Sequence, residues 1–356
     1  MALLVVGCAT TPAQKPAAPA VAPSPAPAAA AAPAAPPKAA PAPEPPKNAL
    51  LEKSNLQFEY PPFDKLKDAD YAPALDQGMA EQRKEVDAIA HNPEPASFDN
   101  TIVALEKSGA LLTRASHAFF NLNQSNTDDE MEKVEADMAP KLSAHNDAIL
   151  LDPALFARVD AVYQEREKLG LDAESLQLVE RYEKQFLRAG AKLSDADKTT
   201  LKKLNEESAT LTTKFRQNVL KSTKDGAVVV DDVKELEGFS PQQIGAAAEA
   251  AKARKLEGKW VITLSNTTQQ PALEQLKNRA LREKIFKASV SRSDGGDADN
   301  RQVVADILKL RAQKAALLGY SNWAAYELAE ETAQDTKHVN DILAQLSKAA
   351  LGKAKK

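Results

Sequence analysis

Apolar side chains recur every three or four residues along most of the chain after residue 50. This spacing places them on one face of an α-helix, which turns once every 3.6 residues. The clearest stripe follows Ser194 and Asp197, whose spacing is that of a helix-capping box. Its members are Leu201, Leu204, Ser208, Leu211, Phe215 and Val219. We therefore predict a long helix that begins just after Ser194.

Further stripes of the same period predict more helices, and one of these has Ser97 in the position of an N-cap. The four stripes are Phe98, Ile102, Leu105, Gly109, Leu112, Ser116 and Phe119; Leu176, Val179, Tyr182 and Phe186; Leu273, Leu276, Leu281, Ile285 and Ala288; and Val304, Ile307, Leu308, Arg311, Ala315 and Leu318. Gly319 follows the last stripe and is predicted to cap its helix. Pro241 after Ser240 marks the first turn of another helix, where the missing N–H of proline costs nothing.

Two β-branched runs flank the helix that begins at Pro241. They are residues 228–230 and 260–264, and we predict that they pair as a small two-stranded sheet. No internal repeat of fixed period is present, which disfavours a helical solenoid. The pattern as a whole predicts a mostly α-helical fold with a small two-stranded β element.

The amino-acid composition favours a helical core and argues against a nucleic-acid partner. Hydrophobic residues make up 43% of the 356 residues and aromatic residues 5%, while Ala, Leu, Lys and Glu are abundant. That mixture favours helix over sheet. The net charge is −4 and the pI is about 5.8. Because nucleic-acid binding favours a basic surface, we expect no nucleic-acid partner.

The first eight residues look like part of a bacterial lipoprotein signal. The apolar residues 3–6 are followed by Gly7 and Cys8, the spacing of a lipobox, in which the chain is cut before a cysteine that then carries lipid. A full secretory signal would have a basic N-terminal region and a longer apolar region. The position of the start codon is therefore left open. The alternative is an incidental or buried cysteine. We predict lipidation of Cys8, the only cysteine in the chain.

Residues 9–49 are predicted to be a tether. They are rich in Ala and Pro, and 13 of the chain's 22 prolines precede Asn48. Proline holds the backbone near polyproline II and removes N–H donors, so such a segment does not build a core. Because Ala9 rather than Asp follows Cys8, analogy with bacterial lipoproteins predicts an anchor in the outer membrane, with the body facing the periplasm.

The four histidines provide no zinc-protease motif. Such a motif, His-Glu-x-x-His, puts two histidines four residues apart on one helix face, whereas these lie at positions 91, 117, 145 and 338. The nearest approaches to a His/acid cluster are His145 with Asp147 and His338 with Asp341. A lone helical histidine is more often a surface or core residue. We assign no catalytic or metal-binding residue in this chain and leave its substrate-binding residues unknown.

The acidic run from Asp294 to Asp299 suggests calcium at first sight. It lacks the glycine and glutamate spacing of an EF-hand loop. We therefore interpret it as a loop that leads into the N-terminus of the next helix.

An ordered set of short stretches resembles the thimet oligopeptidase family of zinc metallopeptidases, and within it the bacterial dipeptidyl carboxypeptidases. The stretches are residues 182–186, 190–193, 215–220, 266–273, 278–284, 300–301, 310–311, 314–315 and 317–320. The most specific is 266–273, Asn-Thr-Thr-Gln-Gln-Pro-Ala-Leu. The resemblance covers residues 50–356. We assign no catalytic role to the residues of the matching stretches and interpret them as helix-packing positions and caps.

This resemblance implies one lobe of a two-lobed helical fold around a channel that admits short peptides. It implies zinc in the complete protein, with the metal motif in the second lobe. We expect that residues 50–356 form an N-terminal lobe that is incomplete at its C-terminus, and that this chain alone binds no zinc and is inactive. The leading hypothesis is the N-terminal part of a membrane-anchored peptidyl-dipeptidase. The alternative is a non-catalytic helical lipoprotein that binds peptides or a partner.

Overall fold

A computed structural model describes residues 48–355. The predicted lipobox with Cys8, and the predicted tether up to residue 47, lie outside the described residues. Within the described range the fold is mostly helical with one two-stranded sheet, which confirms the predicted fold class.

The helices follow one another with short connections. They are α1 (Asp68–Ala90), α2 (Ala104–Lys107), α3 (Ala110–Ser125), α4 (Asp129–Leu150), α5 (Pro153–Glu165), α6 (Ala173–Ala189), α7 (Asp195–Asp225), α8 (Pro241–Lys252), α9 (Asn266–Gln275), α10 (Arg279–Val290), α11 (Arg301–Leu317), α12 (Trp323–Leu328) and α13 (Thr336–Ala354). A π-helical turn, Phe98–Val103, leads directly into α2. The strands are β1 (Val228–Val230) and β2 (Trp260–Ile262), which pair antiparallel with Val229 opposite Val261.

The cap predictions agree with the structure. The side chains of Ser97, Ser194 and Ser240 accept hydrogen bonds from backbone N–H groups in the first turns that follow them. Such bonds satisfy donors that have no partner inside the helix. Gly319 has a φ of 81° just after α11, the left-handed conformation that favours glycine at a helix end.

The helix predicted from residue 98 to residue 119 is wrong in its continuity. Gly109 has a φ of 73°, so the chain turns there and α3 begins anew. The N–H of Gly109 donates to Glu85 Oε2 at 2.7 Å, which ties this turn to α1. The apolar period continued across the break because helices on both sides of it pack against α1.

The helix predicted over residues 273–288 is also two helices. The backbone is extended at Leu276, and Asn278 then caps α10 by accepting the N–H of Leu281 at 3.1 Å. The buried side chain of Leu276 keeps the apolar period intact, because it packs in the same core as Leu281 and Ile285. Because the apolar spacing continues through Leu276, it did not indicate the turn between α9 and α10.

Three hydrophobic clusters hold the fold together. The first lies between α1, α5 and α6, and the second between α1, α3 and α4. The third packs β1 and β2 against α9 and α10. Burial of such side chains is the main favourable contribution to folding. The long helix α7 packs against both α4 and α11, and this packing forms the walls of the candidate site.

Candidate functional site

The cavity between α4 and α7 has a volume of about 430 Å³. Phe120 of α3 and Lys314 of α11 complete its walls. Its other lining residues are Glu135, Ala139, Leu142, Ser143, Asn146, Asp147, Asn205, Ser208, Ala209, Thr212, Thr213 and Arg216. Because most of these side chains are polar or charged, the cavity suits a polar ligand better than an apolar one.

Asp147 is the most deeply buried acid in the cavity wall that lacks an ion-pair partner among the described residues. Asp147 is only 5% exposed. Asn205 Nδ2 donates to Asp147 Oδ1 at 2.7 Å, whereas Asp147 Oδ2 and Asn205 Oδ1 are buried without a hydrogen-bond partner in the described part of the chain. Burial raises the pKa of the Asp147 carboxyl, and the bond from Asn205 and the charge of Lys314 partly offset this.

Lys314 of α11 also lines the cavity. Its ammonium lies 5.9 Å from the centre of the Trp323 ring and 5.8 Å from that of Tyr326. Burial lowers the pKa of Lys314, and the negative charges of Asp147 and Glu327 act against that shift. Even so, within residues 48–355 Lys314 is in no ion pair with either acid.

A second pair of charges sits further along the groove. Glu135 of α4 is 5% exposed and forms an ion pair with Arg216 of α7. Gln217 Nε2 also donates to the backbone oxygen of Glu132, at 2.6 Å, so the two helices are joined at this end. Glu135 and Arg216 therefore compensate each other by direct contact, whereas Asp147 and Lys314 act on each other's charge without forming an ion pair.

The His145 and Asp147 pair is not assembled into a site. His145 Nε2 lies 2.7 Å from Gln82 Oε1 on α1, while Asp147 faces Asn205 on α7. Residues two apart on a helix point about 200° away from each other, which explains the separation. Burial and the charge of Arg83 lower the pKa of His145.

The other histidines also lie apart from this cavity. His91 and His338 pair with Asp87 and Asp335 on exposed helix ends, at 3.1 Å and 2.9 Å. His117 is exposed. Asp341, suggested as a partner of His338, instead binds Lys337 at 2.6 Å.

The acidic run 294–299 is a loop before α11, as predicted. Asp299 Oδ1 accepts the backbone N–H of Arg301 at 2.9 Å, and Arg301 also pairs with Asp294. The side chain of Arg301 also donates to Asp299 Oδ2 at 2.6 Å. This side-chain bond, and after it the backbone bond, lowers the pKa of the Asp299 carboxyl, whose negative charge lies at the start of α11.

Among residues 48–355 no group of three or more His, Cys, Asp or Glu side chains is arranged to hold a metal ion. None of the helices in that range is long and apolar enough to cross a membrane. Cys8, the predicted lipidation site, lies outside the described residues.

The sequence relationships agree with the fold. Residues 272–356 match the family model for Peptidase family M3. The chain is 44% identical to dipeptidyl carboxypeptidase of Escherichia coli (strain K12) over 308 residues, which are 86% of this chain and 45% of that protein. The family resemblance is confirmed. The corresponding enzyme of Salmonella typhimurium is 46% identical over 288 residues, 81% of this chain and 42% of that protein.

Other relatives are more distant. Oligopeptidase A of Escherichia coli is 26% identical over 298 residues, 82% of this chain and 44% of that protein. The chain thus spans less than half the length of these relatives. Lys314 lies inside the M3-matching segment, and Asp147 and Asn205 lie before it.

Sequence reasoning did not identify the cavity. It named Asp147 only as a neighbour of His145, and it did not single out Asn205 or Glu135. One signal was present: Asn205 is four residues after Leu201 and interrupts an apolar helix face with a polar side chain. A polar residue at such a position requires a buried partner, and here that partner is Asp147.

Proposed function

We propose that this chain is part of a zinc metallopeptidase that hydrolyses short peptides and releases dipeptides from their C-terminal ends. The observation that carries the proposal is its 44% and 46% identity to two proteins named dipeptidyl carboxypeptidase. The lower identity to oligopeptidase A supports the choice of a dipeptidyl carboxypeptidase over an oligopeptidase A. Short peptides are the expected substrates.

Zinc belongs to the proposal only for the longer protein. The described residues do not fit a zinc ion, because no suitable cluster of ligands is present among residues 48–355. We therefore assign no step of hydrolysis to them. What this part of the chain supplies is a helical wall in which α7 packs against both α4 and α11.

The test compares the 356-residue chain alone with the longer protein of which we propose that it is a part. Both are assayed on one short peptide with a free C-terminus and on the same peptide with an amidated C-terminus, with and without a chelator. We expect only the longer protein to release a dipeptide, only from the free C-terminus, and only without chelator. Activity in the 356-residue chain would refute the assignment of catalysis to the longer protein. A longer protein without a zinc motif would favour the non-catalytic peptide-binding alternative.

The proposal includes a lipid anchor on Cys8 and a location in the outer membrane, facing the periplasm. It is supported by the lipobox-like residues 5–8 and by the Ala/Pro-rich segment that follows. Firm anchoring needs more than one acyl chain, as a lipoprotein cysteine would provide. Wild-type protein expressed in cells that process lipoproteins should partition into the detergent phase on extraction. The Cys8→Ser variant should not. Equal partitioning of the two would exclude the anchor.

A further inference from the structure

We propose that three helices of this chain, α10, α11 and α13, present apolar faces on which the remainder of the longer protein docks. The surface that docks there is apolar at its centre and acidic around it. The inference rests on the proposed function in one respect only, namely that the chain is part of a longer protein. It concerns how the two parts bind each other and not the reaction.

Exposed apolar side chains are concentrated in one part of the described sequence. Thirteen large apolar side chains are exposed between residues 48 and 355, and eight of them lie within the M3-matching residues 272–356. Single exposed apolar residues are normal on a soluble protein, whereas grouped ones mark a surface that binds a partner. Residues 272–356 are therefore the part whose apolar surface the described residues leave uncovered.

Helix α11 has a second apolar face beside its buried one. The buried residues Val303 and Ile307 are followed directly by Val304 and Leu308, which are 40% and 59% exposed. Successive residues of a helix point about 100° apart, so the two exposed side chains, four positions apart, share a face next to the buried one. An apolar helix face is normally packed against another element, and the described fold packs only one of the two.

Helices α10 and α13 present exposed pairs with the same spacing. In α10 the pair is Phe286 and Val290, which are 53% and 62% exposed. In α13 Ile342 and Leu346 form the pair, Leu343 lies beside them, and none of the residues of this helix is buried. Three helices thus each present an apolar face that lacks a partner within residues 48–355.

The charge around these faces indicates the kind of partner. Helices α10, α11 and α13 together contain eleven Lys and Arg residues and three Asp and Glu residues, although the whole chain has a net charge of −4. Two copies of the chain that met through these faces would bring like charges together, which opposes pairing. A partner surface with acidic residues around an apolar centre matches the three helices instead.

The relatives indicate where such a partner is found. More than half of each dipeptidyl carboxypeptidase lies outside the part that matches this chain. A segment of the same polypeptide has a high effective concentration near the faces, so it binds them in preference to separate molecules. Residues 9–47 are a poor alternative, because their only large apolar side chain is Val21.

The experiment measures how fast single cysteines on these faces react with iodoacetamide in the 356-residue chain and in the longer protein. Leu308→Cys and Leu346→Cys are each made in a Cys8→Ser background, which removes the only cysteine of this chain. Mass spectrometry measures labelling on the peptide that contains each new cysteine. Because a buried thiol is screened from the reagent, both positions should react at least about tenfold more slowly in the longer protein.

Matched controls lie on other sides of the same two helices. Gln313→Cys in α11 and Ala344→Cys in α13 are at exposed positions that point away from the tested side chains, and they should react equally fast in both proteins. Circular dichroism establishes folding, and Val304→Cys and Leu343→Cys on the same faces replace any tested variant that does not fold. Equal rates in the two proteins at the tested positions, or equal protection of the controls, overturns the proposal.

Two further measurements on the 356-residue chain would identify a different occupant. Protection that grows with protein concentration would assign the faces to a second copy, and protection by phosphatidylglycerol vesicles would assign them to an anionic membrane. Either result, without protection in the longer protein, overturns the proposal. Because no hydrolysis is measured, a longer protein that is protected but inactive refutes only the peptidase function. One that is active but freely labelled refutes only the docking.

Discussion

Helices α1 and α13 have similar sequence patterns and opposite environments. Both are amphipathic and about five or six turns long, and the apolar face of α13 is at least as well defined as that of α1. In α1, Tyr71, Ala74 and Leu75 are at most 1% exposed. In α13 no residue is buried, and Leu346 is 61% exposed.

The difference shows that an apolar stripe predicts a helix but not its neighbours. Periodicity depends on the residues of one segment, whereas burial depends on what other segments place against it. Helices α3, α4 and α5 cover most of α1, while α13 contacts only the short α12 to any extent. Side chains of the same type should therefore contribute very differently to stability in these two helices.

The largest expected effect comes from removing a buried leucine. Leu75 of α1 is fully buried, so Leu75→Ala should lower the free energy of unfolding by about 2–5 kcal/mol through lost burial and the cavity left behind. Leu346→Ala in α13 should change it by less than about 0.5 kcal/mol. Urea denaturation followed by circular dichroism measures both. Equal losses would mean that the face of α13 is covered in solution.

An intermediate effect is expected from the same substitution at two helical glycines. A Cβ on Gly78 of α1 would lie 2.7 Å from Leu112 Cα on α3, so Gly78→Ala should destabilise by about 1–3 kcal/mol through overpacking. Nothing lies within 4 Å of a Cβ on Gly352 of α13. There, Gly→Ala should stabilise by up to about 1 kcal/mol, because alanine favours the helix. Thermal melts of the two variants should shift in opposite directions, and two shifts of the same sign would contradict the expected environments.

Local signals were sufficient for most helix starts and for the sheet. Ser97, Ser194 and Ser240 cap helices through bonds to residues three positions away, so the evidence lies within one turn of sequence. The break at Gly109 was missed because the helices on both sides of it pack against α1, and the break at Leu276 because its flanking helices share a core. In both cases the apolar spacing continues across the turn. Ser108 before Gly109, and Asn278 before α10, were the available signals of an interruption.

The cavity could not be predicted in the same way. Asp147 and Asn205 are 58 residues apart, and Lys314 comes from a third helix. Their meeting depends on how α7 packs between α4 and α11, which no local pattern specifies. The family resemblance could be recognised from ordered motifs, but those motifs include only Lys314 of these three residues.

The smallest expected effect compares a buried acid, Asp147, with an exposed acid, Asp137, on the same helix, α4. Burial raises the pKa of Asp147 above its ordinary value of 3.8, so the folded state holds this proton more firmly than the unfolded state does. Its contribution to stability is therefore fully present below pH 3.8 and is lost as the pH rises through the folded-state pKa. Asp147→Asn abolishes this titration and keeps an acceptor for Asn205. Without added ligand, the free energy of unfolding of the variant minus that of wild type should increase as the pH rises above 3.8, and then level off.

Urea denaturation at a series of pH values measures this difference, with Asp137→Asn on the exposed face of α4 as the matched control. The control should have only a small effect at each pH, since its side chain is exposed and its charge can remain hydrated. A difference that decreases as the pH rises would mean that the ionised form of Asp147 is the stabilising one. In that case the bond from Asn205 and the charge of Lys314 would outweigh the burial of the Asp147 carboxyl. Buried and exposed acids on α4 would then not differ in the way the structure indicates.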